Sequence, residues 1–248
     1  MKEDNLNGNT ALVTGGARRI GRRIALSLAE LGVNVVIHYR SSGDAARDLK
    51  STLGEKGVEA WSIQADFSSD VDYYEFVSEV LDRVGKLNYV INNASVFPEK
   101  RIEELEFSDL DENLEVNAWA PFALARSFAD QAPAGKVVNL LDARIAGYDW
   151  GHLGYYFSKV MLARMTKTLA LSEAPDFTVN GVAPGLVTPP PGLDESYLEK
   201  RTDRVPLREY GNKSDVAEAV IYLLGADFVT GQILYVDGGR NLLHELEG

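Results

Sequence analysis

The feature that most constrains the fold is a glycine-rich turn between an apolar segment and an amphipathic helix. The apolar run Thr10 to Val13 is followed by Thr-Gly-Gly-Ala-Arg-Arg-Ile-Gly over Thr14 to Gly21. Apolar residues then recur at helical spacing, at Ile24, Leu28 and Leu31. Backbone N–H groups of such a turn can approach a pyrophosphate at a helix N-terminus. The pattern predicts a dinucleotide-binding strand–turn–helix unit, with a tight connection that binds nothing as the alternative.

The end of the second predicted strand indicates which dinucleotide is bound. An NAD-selective site places an acidic residue about twenty residues after the glycines, where it binds the ribose 2′-hydroxyl. This chain instead has Arg40, Ser41 and Ser42, directly after Val33 to Tyr39. Arg40 and Arg18 can make charge-assisted hydrogen bonds to a 2′-phosphate, and the serines can add neutral ones. We therefore predict NADPH as the cofactor, with ordinary solvated charges as the alternative.

A second motif, Gly-Tyr-Tyr-Phe-Ser-Lys, places Tyr155 and Lys159 four residues apart. On a helix these two side chains share one face, so the ammonium can lie beside the phenol. A nearby cation favours phenolate and lowers the pKa of a tyrosine. The spacing predicts a proton donor, Tyr155, that Lys159 tunes toward working pH. For the motif in isolation, a helix with two solvated polar residues is the alternative.

Composition and segment order fit a single α/β domain over residues 1–248. The chain is 45% hydrophobic, and short apolar segments alternate with amphipathic ones. We predict a doubly wound parallel sheet of about seven strands with helices on both faces. Predicted strands are 10–14, 33–39, 58–65, 88–92, 136–141, 177–182 and 232–236, and predicted helices include 69–84 and 155–173.

Further motifs occur in an order that resembles one enzyme family. Asn92 to Ser95 is similar to an Asn-Asn-Ala-Gly signature, and Asn117 resembles a helix asparagine that orders a proton-relay water. Pro184-Gly185 resembles a loop beside the nicotinamide. With motifs spread from Thr14 to Gly239, the chain resembles a short-chain dehydrogenase/reductase. The resemblance implies a Rossmann fold and a nicotinamide-dependent oxidoreductase.

Three departures from the family pattern point to one branch. Arg19 stands in place of the third turn glycine, Ser95 replaces the signature glycine, and Asp142, thirteen residues before Tyr155, replaces the usual catalytic serine. These features, with His-Tyr-Arg-Ser and Asn-Asn-Ala-Ser-x-Phe, resemble pteridine and dihydromonapterin reductases. The resemblance implies that Arg19 contacts cofactor phosphate and substrate and that Phe97 stacks on a pterin.

The resemblance also implies three sets of site residues. The catalytic residues are Asp142, Tyr155, Lys159 and Asn117. The cofactor-binding residues are Gly15, Arg18, Arg19, Ile20, Gly21, Tyr39, Arg40, Ser41, Ser42, Asp66, Phe67, Asn93, Ala94, Ser95, Tyr155, Lys159, Pro184 and Gly185. The substrate-binding residues are Arg19, Ser95, Phe97, Asp142, Tyr155 and Leu186.

Asp142 narrows the substrate on physical grounds. An ionised carboxylate repels the alkoxide that forms when a ketone is reduced, whereas the nitrogen of a ring C=N bond must gain a proton that an Asp–Tyr pair can deliver. We predict NADPH-dependent reduction of a C=N bond in a dihydropterin or dihydrofolate. Reduction of a 3-oxoacyl thioester or small ketone, and NADPH sensing without turnover, are alternatives. The structural alternative for Asp142 is a salt bridge to Lys159 or Arg144. The structural alternative for Phe97 is packing in the core.

Charge and composition bear on partners. A net charge of −12 opposes nonspecific nucleic-acid binding, and no apolar run approaches the roughly 20 residues that span a bilayer. The polar start, Met1 to Asn9, lacks signal-peptide character, so we expect a cytoplasmic protein without nucleic-acid or membrane partners. The histidines at 38, 152 and 244 lack ligand-like spacing, so no metal site is predicted.

The resemblance implies a homotetramer, or alternatively a dimer. Residues 186–204 form either a mobile lid or a fixed surface excursion.

Overall fold

The computed structural model describes residues 6–190 and 192–243, in which short strands alternate with helices. The strands are β1 (Thr10–Val13), β2 (Asn34–Tyr39), β3 (Ala60–Gln64), β4 (Tyr89–Asn92), β5 (Gly135–Leu140), β6 (Phe177–Pro184) and β7 (Ile233–Val236). The α-helices are α1 (Arg19–Glu30), α2 (Gly43–Glu55), α3 (Tyr73–Val84), α4 (Phe107–Leu114), α5 (Ala120–Gln131), α6 (Leu153–Ser172), α7 (Ser196–Glu199) and α8 (Lys213–Gly225). A π-helical turn, Glu115–Trp119, joins α4 to α5.

All seven strands pair in parallel in the order β3-β2-β1-β4-β5-β6-β7. Side chains of one strand alternate between the two faces of the sheet. Ala11 and Val13 therefore pack with α1, α2 and α8, whereas Leu12 packs with α3, α5 and the end of α6. The predicted doubly wound parallel sheet with helices on both faces is confirmed.

The strand order reverses between β1 and β4, which are neighbours in the sheet although two strands separate them in sequence. Ligands of doubly wound folds bind in the crevice at this point, beyond the carboxyl ends of the strands. Thr14 follows β1, Asn93 follows β4 and Asp142 follows β5 by two residues. The residues singled out in the sequence therefore collect at one edge of the sheet.

Two predicted boundaries were wrong for local reasons. The helix predicted over 69–84 begins at Tyr73, because Asp66 organises a separate turn through bonds from Ser68 and Ser69. Asp72 then caps α3 by accepting the backbone N–H groups of Tyr74 and Glu75 at 3.0 and 3.1 Å. The strand predicted to end at residue 182 continues to 184, because β6 stays paired with β7 to its last residue.

Within residues 186–190 and 192–204 the regular elements are α7 and a 3₁₀ turn at Thr202–Arg204; residue 191 lies outside the described residues. None of the helices within 6–190 and 192–243 is long and apolar enough to cross a bilayer. The same part of the chain contains no cluster of histidine and carboxylate side chains suited to a metal ion; His244 lies outside it.

Candidate active site

The glycine turn is fastened to the end of β4. Thr14 Oγ1 accepts the backbone N–H groups of Asn93 and Ala94 at 2.9 and 3.0 Å. The Asn93 side chain returns two bonds, donating to the carbonyl oxygens of Thr14 and Gly15 at 2.9 and 3.1 Å. A Cβ atom at Gly21 would lie 2.6 Å from Asn93 Nδ2 and closer still to the Gly15 carbonyl oxygen. Gly21 therefore lets the first turn of α1 pack directly on the glycine turn.

Two adjoining cavities open along this crevice, and both are lined by Gly15, Arg18, Ala94 and Ser95. The first cavity, about 220 Å³, is also lined by the predicted residues Tyr39, Arg40, Ser41, Ser42, Asp66 and Phe67. The second cavity, about 420 Å³, is also lined by the predicted residues Arg19, Ile20, Asn93, Phe97, Asp142, Tyr155, Pro184, Gly185 and Leu186. Gly21, Asn117 and Lys159 are the predicted site residues that do not line either cavity.

Asp142 and Tyr155 form a direct pair at the wall of the second cavity. The Tyr155 hydroxyl donates to Asp142 Oδ2 at 2.9 Å, and the Arg144 backbone N–H donates to Asp142 Oδ1 at 2.8 Å. Both carboxylate oxygens are therefore fixed. Among the described residues no ion pair joins Asp142 to Lys159 or Arg144, so the salt-bridge alternative for Asp142 was wrong.

The predicted tuning of Tyr155 by Lys159 is not what the structure shows. Burial, together with the charge and hydrogen bond of Asp142, raises the pKa of Tyr155 well above its usual value. Lys159 Nζ donates to the Leu140 carbonyl oxygen at 2.8 Å and lies 5.7 Å from the centre of the Tyr155 ring. Burial lowers the pKa of Lys159 to about 8. Burial is therefore the largest influence on the pKa of Tyr155 and the carboxylate at 142 the next, and Tyr155 stays a protonated phenol at neutral pH.

Asn117 lies in the π-helical turn with its side chain completely buried. Its Oδ1 accepts from Ser95 Oγ and the Val96 N–H, both at 2.9 Å. Its Nδ2 donates to the Val96 carbonyl, to Asn113 and to Ser158 at 3.0 to 3.2 Å. The side chain thus ties α6 to the loop that carries Ser95. The relay role that the resemblance implies for Asn117 stays a prediction.

The ring of Phe97 is held by a polar cluster in which Asp149 is buried and Arg144 and His152 are partly exposed. His152 stacks on Phe97 with ring centres 3.9 Å apart and planes 13° apart, and Phe97 meets the Tyr155 ring edge-on at 4.6 Å. Asp149 accepts from His152 Nδ1 at 3.2 Å and pairs with the Arg144 guanidinium. Burial opposes ionisation of Asp149, but His152 and Arg144 outweigh it and lower its pKa to about 2.

This arrangement limits how Phe97 can act. Phe97 is half-buried and lines the second cavity, so it is not plain core filling. His152 already covers one ring face, and the guanidinium carbon of Arg144 lies over the ring at 5.7 Å from its centre, so a flat ligand could use only the ring surface that these two side chains leave open. His152 and Asp149 carry no motif spacing in the sequence; the only signal is a Gly-Tyr-Asp-Trp-Gly-His loop rich in polar and aromatic residues just before the tyrosine helix.

Arg19 adopts an unusual backbone conformation and reaches across the site. Its φ is +54°, in the left-handed region where glycine is favoured, and glycine is the residue that the family pattern has there. Its guanidinium donates to Thr188 Oγ1 at 2.8 Å and to the Pro189 carbonyl oxygen at 2.5 Å. Arg19 thereby links the glycine turn to the segment after β6.

Comparison with known proteins agrees with this geometry. A family model described as enoyl-(acyl carrier protein) reductase matches residues 15–241. The chain belongs to the short-chain dehydrogenase/reductase family. Among curated relatives, this short-chain dehydrogenase/reductase is 31% identical over 238 residues to the 3-oxoacyl-[acyl-carrier-protein] reductase FabG of Staphylococcus epidermidis, covering 93% of this chain and 98% of the relative.

Two solved structures of FolM alternative dihydrofolate reductase 1, both in complex with NADP, resemble this short-chain dehydrogenase/reductase in fold. The Brucella suis structure has a TM-score of 0.90 at 32% identity, covering 96% of this chain and 97% of that chain. The Brucella canis structure has a TM-score of 0.87 at 32% identity, covering 95% of both chains. The family resemblance is confirmed, while the sequence and structure comparisons name different substrates.

Proposed function

We propose that this protein is an NADPH-dependent reductase of a ring C=N bond in a dihydropterin or dihydrofolate. The observation that carries this proposal is the 2.9 Å hydrogen bond from Tyr155 to the Asp142 carboxylate at the wall of the second cavity. The naming of the Brucella proteins as alternative dihydrofolate reductases supports the same substrate class.

The residues present fit a nicotinamide dinucleotide phosphate. The glycine turn is fixed on β4 and lies between the two cavities, so a long ligand can pass across it. Arg18 and Arg40 line the first cavity, where they can pair with a 2′-phosphate. Bound NADPH supplies the hydride. Lys159, whose ammonium is buried beside the end of β5, would bind a ribose hydroxyl by exchanging its Leu140 partner.

Asp142 and Tyr155 would manage the proton. In C=N reduction the carbon gains hydride and the nitrogen gains a proton, so the acceptor is most reactive as a protonated, cationic imine. A carboxylate beside that nitrogen raises its basicity and stabilises the cation. Tyr155, kept protonated by burial and by Asp142, donates to the nitrogen. Phe97 would stack on the flat ring through the surface that His152 and Arg144 leave open, and Arg19, Ser95 and Leu186 would line its edges.

The cofactor proposal predicts that Arg40→Ala weakens NADPH binding by about 10- to 100-fold and leaves NADH binding unchanged. A hydrogen bond to a charged group contributes about 1.5–3 kcal/mol, and only NADPH has a phosphate for Arg40 to contact. Dissociation constants from NADPH and NADH fluorescence measure the change. Arg47→Ala is the matched control, because Arg47 is an exposed arginine ion-paired to Asp44 on the adjacent helix. An unchanged preference in Arg40→Ala would contradict the assignment.

A parallel assay tests the proposed function. Purified protein and NADPH are offered dihydrobiopterin, dihydromonapterin, dihydrofolate and an acetoacetyl thioester, and loss of NADPH absorbance is followed. We expect turnover with at least one pterin or folate and little with the thioester. NADPH binding without oxidation by any acceptor would favour the sensor alternative.

Reduction of a 3-oxoacyl thioester is the second candidate, because the FabG relative is 31% identical over nearly the whole chain. Asp142 argues against it, since the developing alkoxide would face a carboxylate. Turnover of the thioester alone in the same assay would establish this candidate and overturn the first.

We further propose a homo-oligomer. Trp119 in the π-helical turn and Phe157 and Met161 on α6 are large apolar side chains exposed by 42 to 47%, and exposed apolar surface favours association. Light scattering after size exclusion should give a mass of two or four chains. A monomer at micromolar concentration would contradict the proposal.

A further inference from the structure

His38 is a buried polar residue in the second strand from one edge of the sheet, and it belongs to none of the predicted site sets. It lies in β2 with 2% of its surface exposed, and it lines the first cavity. Its ring stacks on Phe67 with centres 4.2 Å apart and planes 11° apart, and the edge of Phe76 meets it at 5.8 Å. A buried imidazole needs partners for both nitrogens, and here both partners belong to loops around the first cavity.

The hydrogen bonds of His38 fix the start of the glycine turn. The Gly15 N–H donates to His38 Nδ1 at 3.2 Å, and the Gly16 N–H donates to the His38 backbone carbonyl at 3.0 Å. His38 Nε2 lies 3.1 Å from the Ala65 carbonyl oxygen at the end of β3. Because Nδ1 accepts, this arrangement requires the neutral ring with its proton on Nε2, which then donates to Ala65.

We propose that His38 is a positioning residue for the cofactor: its imidazole holds the glycine turn in the conformation that receives the cofactor phosphates. This inference rests on the proposed NADPH cofactor. Asn93 bonds the Thr14 carbonyl of the peptide that joins Thr14 to Gly15, and the His38 ring supplies the partner for the N–H on the other side of that peptide. Without the Nδ1 acceptor the Gly15 N–H loses its partner, and glycine at φ +60° tolerates a shift of the peptide, so the cofactor has to restore the binding conformation at the expense of affinity.

Protonation of His38 would reverse its role, because Nδ1 would then present a proton to the Gly15 N–H. Burial lowers the pKa of His38 to about 4, against opposing effects of the Ala65 hydrogen bond and the nearby carboxylate of Asp66. Asp66 is the charged group that acts on His38 among the described residues; Arg18 and Arg40 line the same cavity, and Gly15, Phe67 and Phe76 contact the ring without charge. The acceptor is therefore present at neutral pH, and cofactor affinity should fall as pH drops through about 4.

The test compares three variants by calorimetry with NADP⁺, which tolerates acid. His38→Phe keeps the stacking ring but lacks the acceptor, and should bind at least tenfold more weakly than wild type. His38→Asn places an amide oxygen near the Nδ1 position and should bind within threefold of wild type. Phe76→Leu disturbs the same aromatic group without touching the acceptor; it should unfold at lower temperature yet bind within twofold.

Three outcomes would overturn the role of His38: His38→Phe binding within twofold of wild type, His38→Asn as weak as His38→Phe, or Phe76→Leu losing as much affinity as His38→Phe. The NADP⁺ affinity of the wild-type protein should fall as the pH drops through about 4, and His38→Asn should not show this loss. Identical pH profiles of NADP⁺ affinity in the two proteins would also contradict the role.

A ring-nitrogen NMR measurement separates this inference from the cofactor proposal. Labelled wild-type protein at pH 7 should show neutral His38 with the proton on Nε2, whether or not NADP⁺ binds. Failure of wild type to bind NADP⁺ would overturn the cofactor proposal. A charged ring, or a proton on Nδ1, would overturn the role of His38 even if NADP⁺ binds or if His38→Phe does not fold.

Discussion

Tyr155→Phe is expected to lower turnover of the preferred pterin by about 10²–10⁴-fold, the usual contribution of a positioned proton donor. The phenylalanine ring keeps the edge contact with Phe97, but the bond to Asp142 is lost. NADPH affinity should change little. Stability should fall by about 1–2 kcal/mol, because a half-buried carboxylate loses one of its two donors.

Single-turnover rates, NADPH titration and thermal unfolding measure these three effects in Tyr155→Phe. Tyr156→Phe is the matched control, because Tyr156 is the next tyrosine on α6 and contacts Tyr148 and Phe157 without lining either cavity. Turnover by Tyr155→Phe above a third of the wild-type rate would show that the proton comes from elsewhere. An equal loss in Tyr156→Phe would point to disturbance of the helix.

Asp142→Ser is expected to exchange one substrate class for another. Turnover of the pterin should fall by at least about 100-fold, since the carboxylate no longer stabilises a protonated imine. Thioester turnover should rise, because a serine hydroxyl donates to a developing alkoxide where the carboxylate repelled it. Parallel assays with both acceptors measure the exchange. Retention of full pterin reduction by Asp142→Ser would contradict the C=N mechanism.

The same variant has a second readout in the titration of Tyr155. Burial raises the pKa of Tyr155 most, and the charge and hydrogen bond of Asp142 raise it further, so removal of the carboxylate should lower this pKa. The alkaline limb of the pH–rate profile should accordingly move to lower pH in Asp142→Ser. Asp142→Asn, which keeps the shape and removes the charge, should move the limb the same way. An unmoved limb in both variants would mean that the carboxylate does not control the tyrosine.

The sequence predicted the fold well because local patterns and long-range packing agree. Buried parallel strands are short apolar runs, and residues at i and i+4 of a helix share a face, so the sheet and the approach of Lys159 to Tyr155 followed directly. Asp142 was placed beside Tyr155 from motif position, and the structure brings the two together.

What the sequence could not supply depends on contacts between distant segments. The bond from Lys159 to Leu140 joins residues nineteen apart, and the pKa of Tyr155 is raised first by burial and then by Asp142. His38 and Asp149 carry no spacing signal, because each acts through partners that meet only in the folded chain. Arg19 has a left-handed backbone conformation, which favours glycine. Sequence patterns report such local preferences, so an arginine at this position gave no indication of the conformation.

The close packing of Gly21 on the glycine turn affects how a mutational scan of this protein would have to be interpreted. Any side chain at position 21 would collide with the Gly15 carbonyl and the Asn93 amide, so every substitution there should be inactive. Substitutions at position 155 should also be inactive in a growth selection, but for a different reason. Gly21 is restricted by the space available to a side chain, whereas Tyr155 is restricted by the need for a proton donor. Only purified variants tested for cofactor binding would tell the two kinds of intolerance apart.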